Sequence, residues 1–242
     1  MAQFLIEIAG YTGQINSLFE STRDYCRNYL TESKPDFAVS ITREDLAFEQ
    51  EALRQEAIEE GIKVRVFTDP FLDRAAIQRK VAENLLPHKV LLFHGSAVAL
   101  DGEGYLFTAD CGTGKSTHTR LWRQVFGDRA VMVNDDKPFL RLTDGGVLVC
   151  GAPWSGKHGL DSNITVPLKG ICILRRGPVD KIRPVSPEEA LPMLLKQCGL
   201  PASPRQNALV EQLARSIPLW EMECTKTETA PRISQQTMKE GV

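Results

Sequence analysis

The sequence predicts an α/β protein in two parts, a small α/β appendage over residues 1–87 and a larger α/β core over 88–242. Three observations predict it. A strand at Tyr105–Thr108 runs into a glycine-rich loop and then a helix at about 115–126. An apolar strand at Ala130–Val133 ends in Asn134-Asp135-Asp136. Short apolar runs alternate with helical patterns along most of the chain, the arrangement that builds sheets covered by helices.

The elements follow in order. Residues 3–9 alternate like a strand, and Gly10 to Gly13 reads as a turn. Residues 14–32 carry Ile15, Leu18, Phe19, Tyr25, Tyr29 and Leu30 at spacings that partly fit a helix. Phe37 to Ile41 alternates like a strand, and a long helix with seven acidic and two basic residues spans 41–60, with Gly61 placed to end it. Lys63 to Phe67 reads as a short strand, and Asp73 to Leu86 as a helix that stops before Pro87. From His88 the texture changes. Val90–Phe93 and Ala97–Leu100 are apolar strands, Asp101–Gly104 a hairpin turn, and Gly146–Cys150, Thr165-Val166 and Gly170–Leu174 further strands. Ser186-Pro187-Glu188-Glu189 opens a helix, serine capping it and proline taking the first turn. Residues 206–215 form another helix and Leu219–Cys224 a strand.

Composition narrows the function classes. Lys+Arg number 29 against 31 Asp+Glu, a net charge of −2, with none of the basic excess that phosphate-backbone binding to nucleic acid requires. No apolar run approaches the roughly 18 residues of a membrane span, and the N-terminus, without a basic n-region and broken by Glu7, does not read as a signal peptide. The six cysteines are scattered without a Cys-x-x-Cys pair, and His88, His94, His118 and His158 show no zinc-ligand spacing. These features predict a reduced, cytoplasmic protein with no nucleic-acid or membrane partner, and they leave a homo-oligomer open.

The strongest motif is Ala109-Asp110-Cys111-Gly112-Thr113-Gly114-Lys115-Ser116-Thr117. It matches G-x-x-x-x-G-K-[ST] except that Ala109 replaces the first glycine, and it lies between a strand and a helix, the context that gives the pattern meaning. Gly112 and Gly114 allow backbone N–H groups to close around an anion, and the helix N-terminus adds its dipole. Lys115 is placed to reach β- and γ-phosphates and Ser116 to ligate Mg²⁺, so the expected cofactors are ATP and Mg²⁺.

Asn134-Asp135-Asp136 follows about 20 residues later, at a strand C-terminus where ligands bind in open α/β sheets. Two adjacent carboxylates, Asp135 and Asp136, can divide the work, one toward metal and one toward a substrate hydroxyl. His94, in Phe93-His94-Gly95-Ser96 at the end of the preceding strand, is either a structural histidine or a proton partner of the catalytic carboxylate that tunes its pH dependence. The segment Pro153-Trp154-Ser155-Gly156-Lys157-His158-Gly159 admits two readings: a turn with a half-buried tryptophan, or a loop whose lysine touches a phosphate or an acidic substrate while Trp154 walls the pocket. Arg175-Arg176 is either a phosphate clamp or a solvated strand end.

The order His-Gly, glycine-rich loop, Asp-Asp resembles the catalytic domain of the bacterial HPr kinase/phosphorylase family over Val90 to about Leu174. It also resembles the HPr-kinase-like kinases of peptide biosynthetic clusters, whose Pro-Trp-Ser-Gly-Lys loop is similar to Cys150–Gly159 here. The family's downstream glutamate-containing signature is not recognisable. The resemblance implies a P-loop nucleotide-binding core of the HPr kinase / phosphoenolpyruvate carboxykinase type. It implies catalytic roles for Asp135, His94 and Lys115, nucleotide contacts across Asp110–Thr117, and Mg²⁺ ligation by Ser116 and Asp136. The expected activity is ATP- and Mg²⁺-dependent transfer of the γ-phosphate to a hydroxyl, a serine of a protein or peptide or a small hydroxylated metabolite. The alternative is a nucleotide-binding assembly or regulatory protein with little or no transferase activity.

Overall fold

The computed structural model describes residues 1–59, 61 and 63–240. The chain divides into two compact units, Met1–Leu85 and Leu86–Val242. Both are mixed α/β.

In the first unit β1 (Ala2–Ile8) and β2 (Tyr11–Ser17) pair antiparallel, with Ala9 and Gly10 at positive φ in the turn between them. Ala2, Phe4, Ile6 and Ile8 are buried while Gln3 and Glu7 are exposed, the period of a strand with one covered face. The helix predicted over 14–32 is corrected here. Ile15 lies opposite Phe4 in the ladder, and only α1 (Glu20–Tyr25) and a 3-10 turn at Arg27–Tyr29 are helical. The ladder satisfies the backbone over 11–17, and a partial helical spacing does not compete with it. β3 (Phe37–Ser40) runs parallel to β2, giving the order β1-β2-β3.

Two helices complete the unit, α2 (Arg43–Glu59) and α3 (Asp69–Leu85). The predicted last residue of α2, Glu60, lies outside the described residues. Lys63–Phe67, expected as a strand, pairs with no strand among the described residues; the Gln50 side chain instead donates to the Arg65 carbonyl at 3.1 Å and accepts from Phe67 N at 2.9 Å. Half-buried Arg79 joins α3 to α2 through Glu49 at 2.6 Å, and Lys80 reaches Asp45 at 2.7 Å. The buried Asp73 carboxylate accepts from Ser17 Oγ at 2.7 Å, Leu18 N at 3.0 Å and Thr22 Oγ1 at 2.7 Å. One carboxylate thereby closes the end of β2 onto α1 and α3.

The second unit holds, among the described residues, a nine-stranded sheet. Its elements in chain order are β4 (Val90–Leu92), β5 (Ser96–Leu100), β6 (Glu103–Thr108), α4 (Lys115–Phe126), β7 (Ala130–Asn134), β8 (Phe139–Thr143), β9 (Gly146–Cys150), β10 (Thr165–Arg176), β11 (Lys181–Pro184), α5 (Pro187–Lys196), α6 (Pro204–Ser216), β12 (Leu219–Cys224) and α7 (Thr229–Glu240). The order is β4-β8-β9-β10-β6-β5-β7, with β12 between β10 and β11. The two runs predicted at 165–166 and 170–174 are one strand, β10. It is antiparallel to β9 at its start, parallel to β6 from Leu168 and parallel to β12 from Ile171, with a register shift against β6 between Leu168 and Gly170.

Alternate residues face two cores. Leu106, Ile171, Ile173 and Leu219 join Leu194, Leu209 and Leu213 of α5 and α6. Phe107, Cys172, Leu174 and Trp220 join Trp122 of α4 and Ala230 and Met238 of α7. Ser186 caps α5 as expected, accepting from Glu189 N at 3.2 Å while Ser186 N donates to the Glu189 carboxylate at 2.9 Å. His118 of α4 is buried, with Nε2 3.2 Å from the Trp122 indole N–H and 3.1 Å from Ser234 Oγ of α7.

Two predictions follow from this packing. Asp73→Asn places an amide N–H₂ against groups that already donate, and should destabilise the first unit by about 3 kcal/mol, read as a lowered urea midpoint. Burial pushes the His118 imidazole down to about 4, so folding favours its neutral form. The associated stability is complete above the ordinary histidine value, falls as pH drops from about 6.5, and is gone below about pH 4, amounting to about 3 kcal/mol. His118→Gln should flatten that part of the stability–pH curve in chemical denaturation at fixed temperature.

Candidate functional site

Strand β6 ends at Thr108 and the chain turns through Ala109–Gly114 into α4. Gly112 at φ 73° and Gly114 at φ 126° hold backbone conformations that side chains with a Cβ rarely adopt, so the bend requires these glycines. No side chain caps α4. Its first N–H groups therefore lack the usual hydroxyl or carboxylate partner, which makes this helix end receptive to an anion. The loop is fastened from outside: Arg176, at the end of β10, donates to the Gly112 carbonyl and, at 3.3 Å, to that of Thr113. Lys196 of α5 bonds Asp110 at 2.5 Å and holds its carboxyl below the usual range.

The end of β7 forms the facing wall. Asn134 is fully buried; its Oδ1 accepts from Asp136 N at 2.9 Å and Lys137 N at 2.7 Å, and its Nδ2 donates to the carbonyls of Ala152 at 2.8 Å and Trp154 at 3.3 Å. This turns the chain sharply, so that successive residues Asp135 and Asp136 both reach the cavity. Asp135 is buried, its Oδ1 accepting from Gly156 N at 2.6 Å. A Cβ at position 156 would lie 3.2 Å from that oxygen, so the close approach depends on glycine. His94 Nε2 lies 3.4 Å from Asp136 Oδ1.

The two carboxylates are pushed in opposite directions. Burial raises Asp135, with Asp136 adding to it, against the opposing Gly156 N–H and the charge of His158. Asp136 is also raised by burial, but His94, Lys137 and Lys115 outweigh that and leave it below the usual carboxylate value.

These walls enclose a cavity of about 790 Å³. Of the residues proposed from sequence, Cys111, Gly112, Gly114, Lys115, Ser116, Thr117, His94, Asp135 and Asp136 line it. Asp110 and Thr113 do not; they face Lys196 and Arg176. Lys115 is buried, with Nζ 3.0 Å from the Ala109 carbonyl. His94, expected to partner Asp135, lies against Asp136 instead, because the Asn134 turn swings the second carboxylate toward the end of β4. Trp154 is buried against Phe139, centroids 6.3 Å apart, and does not wall the cavity. Arg175 pairs with Glu221, and Arg176 is bonded to the loop carbonyls. Sequence reasoning gave no role to Asn134, Arg120, Arg123 or His158. Asn134 stood inside a quoted motif, and the arginines repeat at helical spacing from Ser116, a signal that was available.

Among the described residues no group of three or more His, Cys, Asp or Glu side chains is placed to hold a metal by itself. Ser116 and Asp136 on opposite walls suit a Mg²⁺ ion that takes its remaining ligands from phosphate oxygens and water. A loop of glycines, an uncapped helix start and a lysine on one side, with a carboxylate pair on the other, suit a polyanion and a group that gives up a proton.

No helix among the described residues is long and apolar enough to cross a membrane. No family model matches the chain, and no curated protein matches it. Among solved structures the chain is similar to the Hpr(Ser) kinase/phosphatase from Coxiella burnetii, at 16% identity and a TM-score of 0.30, over 51% of this chain and 88% of that one.

Proposed function

We propose that the chain is an ATP- and Mg²⁺-dependent phosphotransferase of HPr-kinase-like type. It moves the γ-phosphate to a hydroxyl, either a serine in a protein or peptide or a hydroxyl of a small metabolite. The observation that carries this reading is that a single cavity is lined by Lys115 and Ser116 at the uncapped start of α4 and by the adjacent Asp135 and Asp136 at the end of β7.

On this reading the loop amides and Lys115 hold the triphosphate, and Ser116 and Asp136 hold the metal, which supplies neutralisation of phosphate charge. Asp135 orients the acceptor hydroxyl and takes its proton as the new O–P bond forms and ADP leaves with the former bridging oxygen. Oδ1 is already bonded to Gly156 N, so Oδ2 is the proton acceptor. His94 is a positioning residue: it holds Asp136 in its rotamer and so acts through the metal side. The N–H donated by Gly156 costs nothing to reorganise during the reaction, as preorganised dipoles do not.

Lys115→Ala should weaken ATP binding at least tenfold, measured by calorimetry with Mg²⁺ present. Unchanged affinity removes the basis of the reading. Asp135→Asn should keep ATP affinity within about twofold and lower transfer from γ-labelled ATP at least a hundredfold. Wild-type transfer in that variant would show that Asp135 is not the base. If the wild-type chain binds ATP yet labels neither protein nor small molecules of a cell lysate, the regulatory reading replaces the kinase one.

A further inference from the structure

Beyond the glycine loop the cavity has a second cationic region. Ser116, Arg120 and Arg123 form one stripe along α4, and all three line the cavity. At 1.5 Å rise per residue, Arg120 and Arg123 stand roughly 8 and 12 Å along the helix from Lys115. Both are exposed, and among the described residues neither side chain makes a hydrogen bond or an ion pair. Other arginines of the same unit do: Arg129 with Asp101, Arg175 with Glu221, and Arg183 with Glu189 and Glu221. Two like charges three residues apart on one helix face repel, and here no carboxylate offsets that. The acids of the cavity are engaged elsewhere, Asp135 with Gly156 N and Asp136 with His94. Lys157, exposed on the far wall beside the Gly156–Asp135 bond, is a third cation without a partner among the described residues.

We infer that Arg120 and Arg123, with Lys157 across the cavity, form an anion subsite separate from the phosphate loop, and that it takes a carboxylate or phosphate group carried by the acceptor close to its hydroxyl. The placement favours the acceptor over the nucleotide. Lys157 adjoins Gly156, which holds Asp135, so a group touching Lys157 belongs to a molecule already at the proton acceptor. Arg123 lies more than two helical turns from the amides at the start of α4. Planar guanidinium groups bind such oxyanions through paired N–H···O bonds. The inference rests on the proposed transfer reaction only for which molecule carries the anion.

Calorimetry on the full chain tests it. The probes are Mg·ADP alone and, with and without Mg·ADP, a serine peptide flanked by aspartates and its asparagine counterpart. The aspartate peptide should bind at least tenfold more tightly than the asparagine peptide. Arg120→Gln/Arg123→Gln should abolish that difference while Mg·ADP affinity stays within twofold. The inference is overturned if the wild-type chain binds the two peptides alike. It is also overturned if the double variant loses tenfold in Mg·ADP affinity, which would give these arginines to the nucleotide's phosphates. Should the wild-type chain bind no Mg·ADP, the transfer reading fails, and the peptide comparison without nucleotide still decides the subsite.

Discussion

The side-chain amide of Asn134 is the fastening on which the site depends. It uses both N–H bonds and accepts twice, so its full hydrogen-bonding capacity is spent inside the protein. Two of those bonds shape the turn that carries the carboxylate pair, and two hold the carbonyls of the following loop. That loop then returns a backbone N–H to Asp135 from Gly156. The chain beyond reinforces this, with Asp135 N bonded to the Leu160 carbonyl and Ser162 N to that of Val133. An apolar residue at position 134 would remove these four bonds, each worth about 1 kcal/mol, and would release the carboxylate turn and the following loop together.

The glycine-rich side is held by a different principle. Its backbone is bent by Gly112 and Gly114 and gripped by two cations from outside the cavity, Arg176 and Lys196. A trans peptide points its C=O and N–H in opposite directions. The bond that turns the Thr113 carbonyl toward Arg176 therefore turns the Gly114 N–H away from it. One wall is thus set by a fully satisfied side chain and the other by charges that orient backbone dipoles. The two meet across the cavity.

Much of this is legible in the sequence. The strand–loop–helix unit, the apolar strand before Asn134 and the Ser186 cap are local patterns, and α4 starts and ends at the predicted residues. What escaped was set by partners distant in sequence. β2 read as a helix because Ile15 shows its role only when paired with Phe4. Lys63–Phe67 read as a strand, while its pairing is supplied by the side chain of Gln50. β8, β11 and α7 were missed; α7 buries Ala230, Ser234 and Met238 at four-residue spacing, a pattern present but weak among polar neighbours. Nine of the residues named from sequence line the cavity. Which carboxylate His94 would meet was not legible, since that depends on how Asn134 turns the chain.

The course of β10 has a consequence for how the second unit forms. Its inner half lies between β6 and β12, parallel to both, and its outer half pairs with β9. Both parallel neighbours are remote in sequence, so each pairing closes a long loop before it gains any ladder energy. Such topologies assemble slowly, and they hold unpaired edges open while they do. Until β12 arrives, Ile171, Cys172 and Ile173 present an apolar strand with one side unmatched. The hairpins β5–β6 and β8–β9 can form early from neighbouring residues, but neither core is sealed without residues 219–224. The six residues of β12 therefore cover the apolar side of β10 and complete both cores.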